Sequence, residues 1–339
     1  MPISRNETYE ASPSRYGQTD SFYRRAGHRG ILLPAVSLGL WKNFGGERPL
    51  EECRRLIHFA FDHGVTHFDL ANNYGPPPGA AEAMLGRLMC SSLAPYRDEL
   101  FISTKAGYEM WPGPYGNWGS RKSLMASLNQ SLHRMNVDYV DLFYIHRFDP
   151  ATPLEETLQA LVDMVRSGKT LYVGISRWPL KATLTAFEYL NRRDVPCLCL
   201  QGRVNLLDKA PLTEGLLDAA REEGCGFVSF SPLAQGLLTD RYLNGAIPVG
   251  SRMSREASLP RETLTPSLLR QLKKLEELAK KRGESLARLA LRWVIDLPGM
   301  TSVIVGASST EQLADNLKAV ESAPLTDEEL KEIGRIMSA

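Results

Sequence analysis

Long apolar runs are missing from this 339-residue chain: nowhere do eighteen hydrophobic residues stand in a row. That excludes a helix able to cross a bilayer. An excess of charge of one sign is missing too. Forty basic residues stand against thirty-nine acidic ones, a net charge of +1, so there is no general pull toward nucleic acid or an anionic membrane surface. Cysteine is scarce, with five residues at Cys53, Cys90, Cys197, Cys199 and Cys225. The opening stretch MPISRNETYEASPSRYGQTD lacks the apolar core of a secretion signal, so this odd, sparse set reads as reduced thiols in a cytoplasmic protein. Cys197 and Cys199 share one side of an apolar strand without a His or second Cys pair nearby, so core packing is expected there and no metal. No GxGxxG follows an early strand, which removes the usual mark of an open dinucleotide-binding sheet. The polar first twenty residues read as a mobile arm, leaving 21–339 as one domain.

What is present is a regular alternation. Short apolar runs occur at VSLGL (36–40), HFDL (67–70), LFIST (100–104), VDLFYI (140–145), LYVGIS (171–176), CLCLQ (197–201), GFVSF (226–230) and SVIVG (302–306). They are apolar throughout, as parallel strands covered on both faces should be. Between them lie helical patterns with start and stop signals. Apolar residues recur at Cys53, Leu56, Ile57, Ala60 and Phe61 before Gly64, which can end a helix. Thr152 with Glu155 predicts a capping box closed at Gly168, Ser120 a cap for a helix to Met135, and Ser309 with Gln312 a further box. Eight strand-then-helix units predict an α/β fold, the (β/α)8 TIM barrel. SFYRR–AGHRG–ILL reads as an N-terminal hairpin across its floor. Two long loops, 106–119 and 232–266, are added to it.

In such barrels chemistry sits at the C-terminal ends of the strands. Those ends carry Asp69 and Tyr74, then Lys105, then His146. Each alone reads as an ordinary polar strand end; together they are four proton-handling groups on three adjacent strands. The motifs FDLANNYG, ISTKAG and YIHR, spread over roughly Tyr23 to Val320, resemble those of the aldo-keto reductase superfamily. LANNYGPPPGAAE, KAGYEMWPGPYG and FSPLAQGLLT are similar to a bacterial branch that reduces L-glyceraldehyde 3-phosphate, and GISRW to potassium-channel β subunits. The resemblance implies that Tyr74 is the proton donor, Lys105 lowers its pKa, Asp69 pairs with Lys105, and His146 orients the substrate carbonyl. Tyrosine ordinarily titrates near a pKa of about 10, and an ammonium about 4 Å away is expected to bring it down by roughly three units.

The resemblance further implies NADPH as cofactor. Trp41, Ser176, Arg177 and Gln201 match the nicotinamide end, with Phe230 stacking on the ring. Ser231, Pro232, Leu233, Ala234, Gln235 and Gly236 match the diphosphate. Gly306, Ser308, Gln312, Asp315 and Asn316 match the adenosine end, at a helix start suited to phosphate. Arg241 and Arg252 match positions that can face a 2′-phosphate, or are solvated charges. The chain departs from the family at Val204, which stands where an aromatic is usual, and at Ser309, where many relatives carry Arg. For the substrate, Trp41, Tyr74, Trp111 and His146 are expected to line the site, with Tyr108, Tyr115 and Trp118 near it and Arg121 as a phosphate anchor. A small carbonyl compound is thus the expected partner, in a cytoplasmic enzyme without nucleic acid or membrane partners that could form homo-oligomers. The other reading is a nucleotide-holding, redox-sensing subunit with little turnover.

Overall fold

The computed structural model describes residues 9–17, 20–255 and 258–338. An antiparallel hairpin of β1 (Tyr23–Arg25) and β2 (Leu32–Pro34) comes first. The strands β3 (Val36–Gly39), β4 (His67–Asp69), β5 (Phe101–Ala106), β6 (Val140–Ile145), β7 (Thr170–Ser176), β8 (Cys197–Arg203), β9 (Gly226–Phe230) and β10 (Met300–Val305) follow. They close into a barrel in the order β10-β3-β4-β5-β6-β7-β8-β9. The eight predicted strands are therefore the eight barrel strands. The helices are α1 (Leu50–Asp62), α2 (Ala80–Met89), α3 (Arg121–Met135), α4 (Leu154–Arg166), α5 (Leu180–Asn191), α6 (Ala210–Thr213), α7 (Leu216–Glu223), α8 (Arg252–Arg255), α9 (Pro266–Lys281), α10 (Leu286–Ile295), α11 (Thr310–Leu317) and α12 (Asp327–Ser338).

The described residues pack as two compact units, one from 9–17, 20, 37–200 and 306–310, the other from 21–36, 201–255, 258–305 and 311–338. In the first, β3 to β7 pair in parallel register, Leu38 with Phe68, Phe68 with Ile102, Ser103 with Leu142 and Phe143 with Val173. All of these residues, Ser103 included, are fully buried, as strands covered on both faces require. Gly174 has a packing reason: a Cβ there would lie 2.5 Å from the buried Tyr144 ring. Ser120 caps α3 by accepting from the Ser123 amide. The capping box expected at Thr152 does not form. The Thr152 hydroxyl donates to Asp149 instead, and Pro153 takes the cap position.

The arm expected over 1–20 needs correction where it is described. Tyr9 stacks on His58 of α1 and donates to Asp62, and Arg15 pairs with Glu99. Residues 9–17 are thus a docked segment, while 1–8 and 18–19 lie outside the described residues. In the second unit, His28 of the hairpin turn donates to the Gly224 carbonyl ahead of β9, and Arg24 donates to that of Ile295 ahead of β10. This places the hairpin at the N-terminal ends of those strands. Thr265 and Ser285 cap α9 and α10. The insertion at 232–266 has its own small core of Leu237, Tyr242, Met253 and Leu259.

Candidate active site

Four polar side chains converge in the first unit because parallel register sets their strand ends side by side. Asp69 ends β4, Lys105 lies near the end of β5, and His146 follows β6 directly. Beyond β4 the backbone continues along β5, with the Leu70 amide bonded to the Ser103 carbonyl and the Asn72 amide to that of Lys105. A turn then closes from the Tyr74 amide to the Ala71 carbonyl, bringing Tyr74 back toward the strand ends.

Lys105 is fully buried and donates to Asp69 Oδ2 and the Leu70 carbonyl, each at 2.6 Å. Its third contact is the Tyr74 hydroxyl at 3.5 Å. The Tyr74 and His146 rings stand edge to face with centroids 5.9 Å apart, and Trp41 lies 6.2 Å from Tyr74. Burial lowers the pKa of Lys105, while Asp69 and then Glu82 oppose the shift. Burial pushes His146 well below the ordinary histidine range, helped by the charges of Lys105, Arg177 and Arg147. Its imidazole is therefore neutral at neutral pH.

Tyr74 departs from expectation. Its pKa is raised well above the usual value, first by burial and then by the negative charge of Asp69. The ammonium expected to lower it is turned to Asp69 and a carbonyl, and reaches the phenol only at the longest of its three contacts. Tyr74 consequently keeps its proton across neutral pH. At 3.5 Å an ammonium can stabilise negative charge that develops on a phenol oxygen.

Over this cluster runs the loop 106–119. Arg147 lies between two of its aromatic rings, 3.5 Å from the Trp118 centroid and 4.3 Å from that of Tyr108. It also donates to the Gly107 carbonyl and to Asn117 Oδ1, both at 2.9 Å. Tyr108 in turn packs edge-on against His146 at 4.7 Å. Trp111 is half-buried, whereas Tyr115 and Trp118 are exposed. Arg121 does not join the site. Its guanidinium pairs with Asp163 of α4, in the outer helical layer, so the expected phosphate anchor is a helix-to-helix ion pair.

The expected cofactor residues divide between the units. In the first, Ser176 is buried at the end of β7, and its hydroxyl has no partner among the described residues. Arg177 follows in the left-handed conformation, with a charge that reaches both Tyr74 and His146. Gly306 and Ser308 are exposed after β10, and the Ser308 carbonyl accepts from Arg48. In the second, Gln201 is buried on β8, and Phe230 is partly exposed at the end of β9. Pro232 and Leu233 are buried, while Ser231, Ala234, Gln235 and Gly236 all have positive φ. Asn205 steadies this loop through the Ser231 carbonyl, and both ends of the Gln235 amide engage Ser258. Arg241 follows the Thr239 cap, and Arg252 opens α8. Gln312 is partly exposed on α11. Asp315 is occupied on both oxygens by Ser285 and Arg288 of α10. Asn316 is buried, with its amide nitrogen unpartnered among the described residues.

Sequence reasoning passed over Asn72, whose buried amide has no described partner at either end, and Arg147. Both had a signal: Asn72 sits in the turn between Asp69 and Tyr74, and Arg147 directly follows His146.

A parallel barrel with an Asp, Tyr, Lys and His assembled at adjacent strand ends defines a class, and sequence comparison agrees with it. The aldo/keto reductase family matches residues 35–337, and the chain belongs to that family, as an oxidoreductase. Among its relatives, L-glyceraldehyde 3-phosphate reductase from Escherichia coli strain K12 is 52% identical over 327 residues, 95% of this chain and 94% of that protein. The protein of the same name from the O157:H7 strain is equally similar, at 52% over the same share of each chain. A probable voltage-gated potassium channel subunit beta from Arabidopsis thaliana is 34% identical over 89% of this chain and 92% of its own.

Proposed function

We propose that the protein reduces small aldehydes with NADPH, including L-glyceraldehyde 3-phosphate or methylglyoxal. The observation that carries this reading is the Tyr74 phenol with Lys105 at 3.5 Å, itself paired to Asp69 at 2.6 Å. When bound, the nicotinamide supplies a hydride to the carbonyl carbon. The carbonyl oxygen then gains charge and needs a proton from a positioned acid. Tyr74 holds that proton at neutral pH, because burial and Asp69 keep it there. As it leaves, the Lys105 ammonium stabilises the oxygen behind it, and Asp69 keeps that ammonium in place. His146 is neutral, so an N–H of its ring orients a carbonyl oxygen without adding a second full charge.

Taken unit by unit, residues are present that suit separate parts of the cofactor. The unpartnered Ser176 hydroxyl suits a carboxamide, and the unpartnered Asn316 amide suits an adenine ring. Ser231, Ala234, Gln235 and Gly236 hold positive φ in a tight loop, at the positions that the family resemblance matches to the diphosphate. Arg252 and secondarily Arg241 would face a 2′-phosphate. The preference for NADPH should be smaller than in relatives with Arg in place of Ser309.

The test follows NADPH and NADH absorbance across a panel of small aldehydes, with both dissociation constants measured. Consumption of NADPH that falls by roughly 10²–10⁴ in Tyr74→Phe supports the reading, provided cofactor still binds. Tyr74→Phe turning over at the parent rate would remove Tyr74 as acid. Equal affinity for NADH would remove the NADPH assignment. Tight NADPH binding without turnover on any aldehyde would favour the redox-sensing subunit, the other function compatible with similarity to channel β subunits.

A further inference from the structure

Behind the Asp69–Lys105 pair lies a line of buried polar groups that the chemistry above does not use. Ser37 of β3 lies 2.8 Å from His67 Nδ1, and His67 Nε2 lies 2.9 Å from Ser103 of β5. The Ser103 hydroxyl donates to Asp69 Oδ1 at 2.8 Å, leaving Oδ2 for Lys105. Ser37, His67 and Ser103 have no solvent exposure.

The direction of this chain follows from counting protons. A serine hydroxyl has one, and that of Ser103 is given to a carboxylate that can only accept. His67 Nε2 must then carry a proton and donate to Ser103. Burial holds the pKa of His67 down to about 4, so the neutral ring has a single N–H. Its Nδ1 is left as an acceptor for Ser37. Every donor points toward Asp69, and aligned hydrogen bonds strengthen one another in a low-dielectric interior.

We propose that His67 is a positioning residue for the reaction: as the Nε2–H tautomer it acts through Ser103 to orient the Asp69 carboxylate that holds Lys105 at Tyr74. The ionisable groups bearing on His67 are Asp69 and Lys105. Those bearing on Lys105 are Asp69 and Glu82, with Tyr74 in contact, His146 coupled to its charge and the Tyr144 ring 5.7 Å away. Filling space alone would not need three donors in series ending on the catalytic pair. This inference rests on the reductase reading.

The experiment compares His67→Leu, His67→Gln and Ser103→Ala in the full-length enzyme with NADPH and an aldehyde it reduces. It is paired with ¹⁵N NMR of the histidine rings. Loss of the Ser103 hydrogen bond to the Asp69 carboxylate should lower kcat by roughly tenfold to a hundredfold in Ser103→Ala, and loss of the His67 donor that orients Ser103 should lower it in the same direction in His67→Leu. KM should change by less than about threefold, because substrate binding is untouched. The alkaline limb of kcat should move to lower pH, since a less supported ammonium loses its proton sooner. His67→Gln should recover most of the rate, because its amide can donate to Ser103 and accept from Ser37. The double variant should be no slower than the worse single one. Parent-like kcat and an unmoved alkaline limb in Ser103→Ala would overturn the proposal, whether or not His67→Leu folds. So would a proton found on Nδ1. If the parent reduces no aldehyde, the reductase reading fails by itself, and the NMR tautomer in parent and Ser103→Ala still decides the chain.

Discussion

Two cations in the first unit show how differently one sequence can use positive charge. Lys105 has no solvent exposure, sits on a strand, and is held by Asp69 at 2.6 Å. Arg121 starts a helix, is 46% exposed in its side chain, and meets Asp163 on the next helix. Water screens the second pair and leaves the first almost unscreened. In sequence both are a basic residue beside a strand end or helix start, and both are reasonable site residues. Depth separates them: only the buried charge can act on a neighbouring phenol.

The sharpest way to break this contrast is Lys105→Met. It leaves Asp69 buried without its cation, which should cost about 3–5 kcal/mol of stability and severely reduce aldehyde turnover near neutral pH. Denaturant unfolding and steady-state rates check both effects. A variant as stable and active as the parent would place Lys105 with Arg121, as an ordinary ion-pair residue.

Arg147 lies between the extremes. Its guanidinium packs on Trp118 and Tyr108 and ties Gly107 to Asn117. Each cation–π contact contributes roughly 0.5–2 kcal/mol, so Arg147→Ala should free the 106–119 loop. The expected result is faster proteolysis in that loop and a raised KM, with a smaller change in kcat. Resistance to protease equal to that of the parent would show that the loop holds itself.

A third comparison uses pH. His67 is held neutral by burial with a pKa of about 4 against 6.5 ordinarily. The unfolded chain therefore takes up this proton first, and stability should be full above about pH 6.5 and fall as pH drops toward 4. At about 1.4 kcal/mol per unit, the loss from this residue is a few kcal/mol at most. His67→Gln should flatten that part of the stability curve. A slope unchanged by the substitution would assign it to other groups.

The smallest effect belongs to Arg121→Ala. An exposed pair contributes about 0–1 kcal/mol, so stability should barely change, and KM for a phosphorylated aldehyde should not change at all. A selective rise in that KM would restore Arg121 to the substrate site and break the contrast with Lys105.

Composition and periodicity alone determined the eight strands, the barrel and the strand ends at Asp69, Lys105 and His146. Those features depend on local patterns of burial that a run such as VDLFYI carries in itself. The hairpin and the Ser120 cap were legible for the same reason. Tyr74 was legible through the motif around it, though its elevated pKa was not, because a pKa depends on what surrounds a group in three dimensions. The tertiary structure alone decided that Lys105 spends two of its three contacts on Asp69 and Leu70, and that Arg121 turns to Asp163. It also decided that residues 9–17 dock on α1, and that His67, unremarked in the strand HFDL, reaches Asp69 through Ser103. Each of these is a choice among partners distant in the chain. Such a choice is made by register and packing, which no short stretch of sequence records.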